Sequence, residues 1–156
     1  MHNSLIKIPQ TNDEIEQCHK LREYVLHESF SDAGIKFDNY NKDHPVHGAP
    51  NVSLVYIVNN EVIGSVRMDK KYEHLNLPEG EVRLALFAID PSLQRAGHGK
   101  KFFECIKVWC KENSIYTIHT NSRLSSHLFW TKVGFEDNIW DEKSLDDFEI
   151  QMTLTL

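Results

Sequence analysis

The sequence contains little cysteine and no long apolar run, and both shortages exclude classes of protein. Its three cysteines, Cys18, Cys105 and Cys110, are an odd number without the spacing of a metal site. We therefore expect free thiols in a reducing, cytoplasmic setting. No apolar stretch approaches the roughly 18 residues of a membrane span, and the first residues lack the apolar core of a signal peptide. The sequence accordingly predicts no membrane association.

The chain also lacks an excess of positive charge. Its formal net charge is −6, which argues against a nucleic-acid-binding protein, because such proteins present a basic face to the phosphates. No repeat, low-complexity segment or linker divides the sequence, so we expect a single domain over residues 1–156. His44 and His47 lie close together, but no two further ligands follow at a suitable spacing, and the sequence predicts no metal site.

The residues that are present are organised around one stretch in the second half of the chain. Residues 84–89 are all apolar, which is typical of a strand buried on both faces. Pro91 ends this strand because proline has no N–H to donate to a neighbour. Gly97 and Gly99 then open an amphipathic run with apolar side chains at helical spacing. The sequence therefore predicts a strand, a tight glycine turn and a helix.

The glycine turn has the chemistry expected of a phosphate-binding site. A helix N-terminus has unpaired N–H groups and partial positive charge, and glycine lets a ligand approach the backbone closely. Four basic side chains lie in or beside this turn: Arg95, His98, Lys100 and Lys101. Against the acidic background of the chain, they favour a small polyanion as the ligand. Two plainer interpretations stay open, namely a turn that only joins strand to helix and a solvated, charged helix start.

The pattern predicts further elements on both sides of this stretch. Thr11 and Glu14 form a capping box at the start of a helix that reaches about His27. Two strands, 52–58 and 61–69, flank the turn Asn59-Asn60, and Gly64 predicts a bulge or a close backbone contact. We expect three more strands and two connections: strands at 116–120, around Ile139 and Trp140, and at 150–156, with a long loop or short helix over 30–50 and a polar connection over 70–80.

Three motifs resemble those of the GNAT superfamily of N-acetyltransferases. Gln94, Gly97 and Gly99 have the spacing of its acyl-coenzyme A signature, Gln/Arg-x-x-Gly-x-Gly/Ala, and the preceding Ile-Asp-Pro resembles the Val-x-Pro often found there. Residues 121–135 resemble the run Asn-Ala-Arg-x-Ser-Ala-x-x-Phe-Tyr…Gly-Phe. The resemblance implies an α+β, three-layer fold. Its mixed, mostly antiparallel twisted sheet has six to seven strands flanked by helices, and it is splayed between the fourth and fifth strands.

The resemblance also implies a coenzyme site. The backbone N–H of Phe87 would lie near the acyl carbonyl, and that of Ile89 would hold the pantetheine arm. The pyrophosphate would lie against five backbone N–H groups and the Gln94 side chain; the five belong to Arg95, Gly97, His98, Gly99 and Lys100. The short helix of the second motif would flank the coenzyme, with four candidate contacts: Arg123, Ser126, Phe129 and Trp130.

The catalytic residues implied by the family are only partly present. Some members have a Glu at the position of Arg83. Here Glu81, on the same face of the strand, is the candidate general base acting through a water, unless it is an ordinary strand-end glutamate. Arg83 could bind an acceptor carboxylate or form an ordinary ion pair. Trp130 replaces the Tyr that serves many members as acid, and His127 is either its substitute or a surface histidine.

The resemblance therefore predicts an N-acetyltransferase that moves an acetyl group from acetyl-CoA to the primary amine of a small molecule by direct transfer in a ternary complex. Acetyl-CoA would be the acyl-donor substrate, and no metal is expected. Two alternatives stay open: a non-catalytic acyl-CoA-binding module and an acetyltransferase of protein or peptide amino groups. We expect an amine acceptor as partner, and neither nucleic acid nor membrane. The sequence leaves a homodimer open.

Overall fold

The computed structural model describes residues 4–32, 40–94 and 96–156, which form a seven-stranded sheet packed with helices. The sheet strands are β1 (Ser4–Lys7), β2 (Val52–Val58), β3 (Glu61–Asp69), β6 (Glu81–Ile89), β7 (Thr117–Arg123), β8 (Glu136–Asp137) and β9 (Glu149–Thr155), and a separate small hairpin contains β4 (Lys71–Tyr72) and β5 (Leu75–Asn76). The helices are α1 (Asn12–Asp32), α2 (His98–Glu112) and α3 (His127–Lys132).

The strand order is β1-β2-β3-β6-β7-β9-β8, and every neighbouring pair is antiparallel except β6 and β7, which are parallel. A parallel pair requires a crossover connection, and α2 provides it. The parallel pairing extends only from Glu81↔Thr117 to Leu84↔Thr120, although both strands continue. The predicted α+β fold, with a mixed sheet splayed between two central strands, is confirmed.

The two faces of the sheet have different chemistry. On one face, apolar side chains of α2 and the strands form the main core, with Phe102, Phe103 and Ile106 completely buried. On the other face, α1 packs over β3 and places Arg22 beside Ser65. Alternation along β3 explains the difference, because residues 65, 67 and 69 are polar whereas Val66 and Met68 enter the core.

Several local predictions are confirmed. The Glu14 N–H donates to the Thr11 hydroxyl (3.1 Å) and the Thr11 N–H donates to the Glu14 carboxylate (3.1 Å), so the capping box forms. Asn59-Asn60 has positive φ at both residues, as a tight hairpin turn requires. A Cβ on Gly64 would lie only 3.0 Å from side-chain atoms of Ile89 and Phe102, so the expected close contact is present.

Other predictions were wrong in detail. Residues 139–140 form no strand, because the Gln151 side chain takes the N–H groups of Trp140 and Asp141. The strand predicted to end at Thr120 continues to Arg123, since β9 pairs with its polar end.

The connection over 70–80 contains the β4–β5 hairpin. Helix α1 extends to Asp32, and the loop predicted after it lies partly outside the described residues, with a 3₁₀ turn at Pro45–His47.

Within the described ranges, no helix has the length and apolar character needed to cross a bilayer. The same residues contain no group of three or more His, Cys, Asp or Glu side chains arranged to hold a metal ion.

Candidate active site

The candidate site is the gap that opens where β6 and β7 stop pairing. The last paired residues are Leu84 and Thr120, and the Thr120 hydroxyl donates to the Leu84 carbonyl oxygen at 3.0 Å. Beyond this bond, residues 85–89 of β6 have no partner on β7. The Oδ1 atom of Asn121, the next residue of β7, is buried and accepts no hydrogen bond among the described residues. The residue of β7 that borders the gap therefore has an unused acceptor.

A bulge in β6 lies beside this gap. Ser65 pairs with Ala88 and Arg67 with Ala85, so two residues of β6, Leu86 and Phe87, lie opposite a single residue of β3. Leu86 has a φ of +56°, an uncommon conformation for a residue with a side chain. Bulges of this kind redirect the backbone and are frequent next to active sites. The main chain at Phe87 therefore departs from regular pairing at the position where the family resemblance implies the acyl carbonyl.

The glycine turn continues from the end of β6 to the start of α2. Gly97 is the N-cap of α2 with φ +82°, and no side chain caps the helix. A Cβ at Gly97 would have no atom within 4 Å, so the space in front of the helix is open. The Nδ1 atom of His98 is buried and has no partner in the described part of the chain. An uncapped helix start and the open space in front of it together fit a phosphate group.

Aromatic side chains close the opposite wall of the turn. The ring of Phe129 lies 3.5 Å from the position that a Cβ on Gly99 would take. Phe129 stacks on Trp130, with centroids 4.8 Å apart, and Phe87 lies 5.0 Å from Trp130 and 5.1 Å from Phe102. The structure thus brings the predicted residues of β6, α2 and α3 together around one apolar wall.

The remaining predicted coenzyme contacts have more varied surroundings. Gln94 is exposed and donates from Nε2 to the carbonyl oxygen of Ile89 at 3.1 Å, which fixes the turn to the end of β6. Arg123 lies in register with Glu149, and burial lowers the pKa of its guanidinium although Glu149 acts in the opposite direction. Ser126 ends the turn that precedes α3. Lys100 is exposed on the first turn of α2, and Arg95 lies outside the described residues.

The two candidate acid positions differ in accessibility. Trp130 is only 5 % exposed and packs at right angles to Phe103 and Phe135, which is consistent with its predicted packing role. His127 lies on the outer side of α3 and bonds to the exposed Asp137 at 2.6 Å, as a surface histidine would.

The candidate base Glu81 belongs to a chain of hydrogen bonds across three strands. Its Oε1 atom lies 2.7 Å from His119 Nε2, and His119 Nδ1 lies 2.8 Å from the Thr153 hydroxyl, which also accepts from Asn138. Since Thr153 accepts from Asn138, its own proton is available to His119 Nδ1, and His119 then donates from Nε2 to the carboxylate. His119 stacks on Trp140 at 4.9 Å. The imidazole therefore fixes the orientation of Glu81.

Next to Glu81 lies a charged group that we call the arginine cluster: Arg22, Arg67, Asp69 and Arg83. Asp69 accepts two hydrogen bonds from Arg67 (2.5 and 3.0 Å) and one from Arg83 (3.3 Å). The Arg83 guanidinium also lies over the ring of Tyr72, 4.1 Å from its centroid. Burial raises the pKa of Asp69, although Arg67 and Arg83 oppose this effect.

Beside the arginine cluster, His47 is held as a neutral ring. Its Nε2 atom lies 3.0 Å from the carbonyl oxygen of Asn41, and its Nδ1 atom lies 3.3 Å from a donor of Arg67. The first atom must donate and the second accept, so a second proton has no place. Burial first, and then the charges of Arg67 and Arg22, lower the pKa of His47 to about 4.

Sequence reasoning missed most of this charged region. It took Arg83 as an isolated candidate and gave no role to Arg22, Arg67 or Asp69. A usable signal was present in β3, where Ser65, Arg67 and Asp69 alternate with apolar residues, as on a strand with one charged and one apolar face. Asn121 was part of a recognised motif, but its unsatisfied oxygen is visible only in the structure.

Comparison with known proteins identifies the class to which this fold and site belong. Residues 12–135 match the family model described as the Acetyltransferase (GNAT) family. The chain therefore belongs to the GNAT acetyltransferase family, and it is an acyltransferase of this type. The resemblance found in the sequence motifs is confirmed.

Similar solved structures agree on the fold. The PaiA N-acetyltransferase of Thermoplasma acidophilum in complex with coenzyme A is 13 % identical, with 99 % of both chains covered and a TM-score of 0.73. Escherichia coli ElaA has the same identity, coverage and score. An aminoglycoside 6′-N-acetyltransferase complexed with coenzyme A is 10 % identical over 97 % of this chain and 96 % of that chain, with a TM-score of 0.70. No curated protein sequence matches the chain.

Proposed function

We propose that the protein transfers an acetyl group from acetyl-CoA to the primary amine of a small molecule, directly and within a ternary complex. The observation that carries the proposal is the gap beyond Leu84 and Thr120, next to the open, uncapped start of α2. A coenzyme with its thioester in the gap would have its pyrophosphate at a helix N-terminus, where N–H groups and the helix dipole favour an anion.

The residues on the two sides of the gap fit the parts of the coenzyme. The Asn121 oxygen lacks a hydrogen-bond donor among the described residues, and an amide N–H of the pantetheine arm would supply one. The backbone N–H of Phe87, beside the bulge, is the candidate donor to the thioester oxygen. Such a donor is worth roughly 3 kcal/mol in measured oxyanion holes. The bound coenzyme would supply the activated acetyl group, and the protein would orient it.

Direct transfer is favoured over an acetylated cysteine because no cysteine is suited to attack the thioester. Cys18 and Cys110 are at most 1 % exposed. Burial raises the pKa of Cys110 to about 12 and also raises that of Cys105. A reactive thiol requires a lowered pKa and an accessible position, since the thiolate is the nucleophile.

Glu81 is the candidate general base, and His119 its positioning residue. The Glu81 side chain is 32 % exposed, and His119 bonds to only one of its two carboxylate oxygens. The carboxylate can therefore accept a proton from an amine through a water. Trp130, which replaces the tyrosine that serves many family members as the acid, has no proton to give to the departing thiolate. A thiol with a pKa near 8.5 leaves as thiolate without such help.

The proposal is tested by measuring thiol release from acetyl-CoA in the presence of small amines and short peptides. We expect release with a subset of small amines, intersecting initial-velocity patterns, and no acetylated protein after incubation with acetyl-CoA alone. Saturable coenzyme binding without thiol release from any acceptor would instead support a binding module. Release with peptides alone would support a protein or peptide acetyltransferase, and absence of coenzyme binding would refute all three.

A further inference from the structure

The arginine cluster contains more positive than negative charge in a region that is nearly closed to water. Arg22 and Asp69 are at most 1 % exposed, Arg67 is 4 % exposed, and the side chain of Arg83 is 14 % exposed. Among the described residues, Asp69 is the only carboxylate that forms an ion pair with any of the three arginines. A buried charge without a partner is expensive. The cluster therefore carries a net charge of about +2 that no ion pair among the described residues balances.

Asp69 pairs mainly with Arg67, which donates a hydrogen bond to each of its two carboxylate oxygens. The hydrogen bonds of Arg22 to described residues go to neutral groups, among them the Ser65 hydroxyl at 2.6 Å and the Val66 carbonyl oxygen at 2.7 Å, and its Nη1 atom is buried without a partner among those residues. Arg83 makes a single bond of 3.3 Å to Asp69, and its Nε atom is likewise unpartnered within the described ranges. The guanidinium of Arg83 thus has unused donors.

Besides Glu81, which is paired with His119, Glu149 interacts electrostatically with Arg83. The two side chains form no ion pair, and Glu149 lies in register with Arg123 across the β7–β9 pair. The pKa of Glu149 is raised, first by burial and then by Asp146, while Arg83 and Arg123 oppose the shift. Arg83 therefore acts on Glu149 only at longer range.

Arg83 also has the right position to meet an acceptor. It lies in register with His119, one residue before the pairing of β6 and β7 ends at Leu84. Val82 and Leu84 on either side of it enter the core, so Arg83 belongs to the opposite face of the sheet, at the mouth of the gap. Phe87 follows four residues later on the same strand, at most about 13 Å away. The Tyr72 ring holds the guanidinium from one side.

We propose that the acetyl acceptor carries a carboxylate or phosphate group in addition to its amine, and that Arg83 is the residue that binds this anionic group. The proposal rests on the proposed function, and it names the substrate class of that site. A planar guanidinium with free donors suits either oxyanion, since both offer paired oxygens. The anion would reduce the unbalanced positive charge of the arginine cluster while it fixes the amine beside the thioester.

The test compares acceptors that differ only in the anionic group. One arm uses β-alanine against β-alaninamide, and the other uses phosphoethanolamine against ethanolamine. We expect kcat/KM to be roughly tenfold or more higher for the charged member of at least one pair, as a charged hydrogen bond provides. The favoured arm identifies the anion as carboxylate or phosphate. Equal or better use of both uncharged members would overturn the proposal.

Two variants and a control separate recognition from general damage. In Arg83→Gln, KM for the preferred charged acceptor should rise at least tenfold more than KM for its uncharged partner. Arg83→Lys should recover part of the loss, and it also serves if the Gln variant does not fold. Lys71→Gln removes the same charge from the exposed surface of β4, and it should change KM neither for the charged acceptor nor for its uncharged partner. Equal losses for charged and uncharged acceptors in Arg83→Gln would show a structural role only.

A binding measurement keeps this proposal distinct from the proposed function. If coenzyme binds but no amine releases thiol, the transferase reaction fails as a proposal. Calorimetric titration of the coenzyme complex with β-alanine and with phosphoethanolamine then decides the second question. Saturable binding that Arg83→Gln abolishes and Lys71→Gln retains would support an anion site at Arg83. Absence of binding, or equal binding by both variants, would refute it.

Discussion

At the scale of single residues, two glycines with similar positive φ angles have different surroundings. Gly97 has φ +82° and precedes α2, and Gly80 has φ +87° and precedes β6. A Cβ would meet no atom at Gly97 and would lie 3.7 Å from the Ser114 carbonyl oxygen at Gly80. Both positions therefore require glycine for conformation, but only one adjoins the candidate phosphate site.

We predict that Gly97→Ala and Gly80→Ala each lower the free energy of unfolding by about 1–2 kcal/mol, because an L-residue is strained at positive φ. Only Gly97→Ala should also weaken coenzyme A binding, since its methyl group enters the space in front of the helix. Urea denaturation and calorimetry measure the two effects. Matching coenzyme affinities in the two variants would count against a phosphate at this helix start.

His47 provides a prediction of pH dependence. Its pKa of about 4 in the folded protein lies below the ordinary histidine value of 6.5, so between these values the unfolded chain takes up a proton that the folded protein excludes. The wild-type protein should therefore lose stability as the pH falls from about 6.5 to about 4. The glutamine side chain of His47→Gln offers one donor and one acceptor but does not titrate. The variant should therefore lose less stability than the wild type over this pH range. Urea denaturation at several pH values measures the difference, and parallel curves would contradict it.

At the scale of elements, β3, β6 and α2 meet at Gly64 with no spare room. A Cβ there would lie 3.0 Å from the Cδ1 atom of Ile89 and 3.0 Å from the Cδ2 atom of Phe102. Both neighbours are core residues, 6 % and 0 % exposed, so neither can move freely. The end of β6, and hence the glycine turn, depends on this contact.

We predict that Gly64→Ala destabilises the protein by about 1–3 kcal/mol, the usual cost of overpacking a filled core, and weakens coenzyme A binding by displacing Ile89. Gly48→Ala is the control, since its Cβ would meet the Pro45 carbonyl oxygen at an ordinary 3.5 Å. The free energy of unfolding of Gly48→Ala should differ from that of the wild type by less than about 0.5 kcal/mol. Thermal or urea denaturation compares them, and equal stabilities would show that the core can yield at Gly64.

The elements also show what the sequence could and could not predict. The strand, glycine turn and helix around Gly97 were predictable because periodicity, proline and glycine are local signals. The capping box of α1 was predictable for the same reason. The end of β7 was not, because its polar residues 121–123 are held in the sheet by β9, a partner distant in sequence. Likewise, Arg22 occupies the buried side of α1, where the periodic pattern would place an apolar residue.

At the scale of the whole molecule, the sheet consists of two parts joined by a short contact. β1, β2, β3 and β6 form one part, and β7, β9 and β8 form the other. Between them, only the four residue pairs from Glu81↔Thr117 to Leu84↔Thr120 are in register. A ligand in the gap beyond Leu84 would contact both parts, so binding should stabilise their junction.

We predict that coenzyme A slows backbone amide exchange in residues 85–89, which pair with β3 alone, more than in residues 81–84, which have neighbours on both sides. Hydrogen–deuterium exchange followed by mass spectrometry, with and without coenzyme, measures this. Residues 52–58 of β2, remote from the gap, are the control and should change little. Uniform slowing across all three segments would indicate general stabilisation rather than occupation of the gap.

The two parts of the sheet are also consecutive in the sequence, and the polypeptide passes between them only once, through α2. A cut at the exposed turn of Asn113 and Ser114 would leave every strand of each part on one fragment. Such fragments would have to reassemble through buried apolar contacts, the four residue pairs and a few polar bonds such as Glu81–His119 and His74–Asp141. The protein is therefore suited to a split reporter, in which reconstitution from two separately produced pieces is read as recovered coenzyme binding.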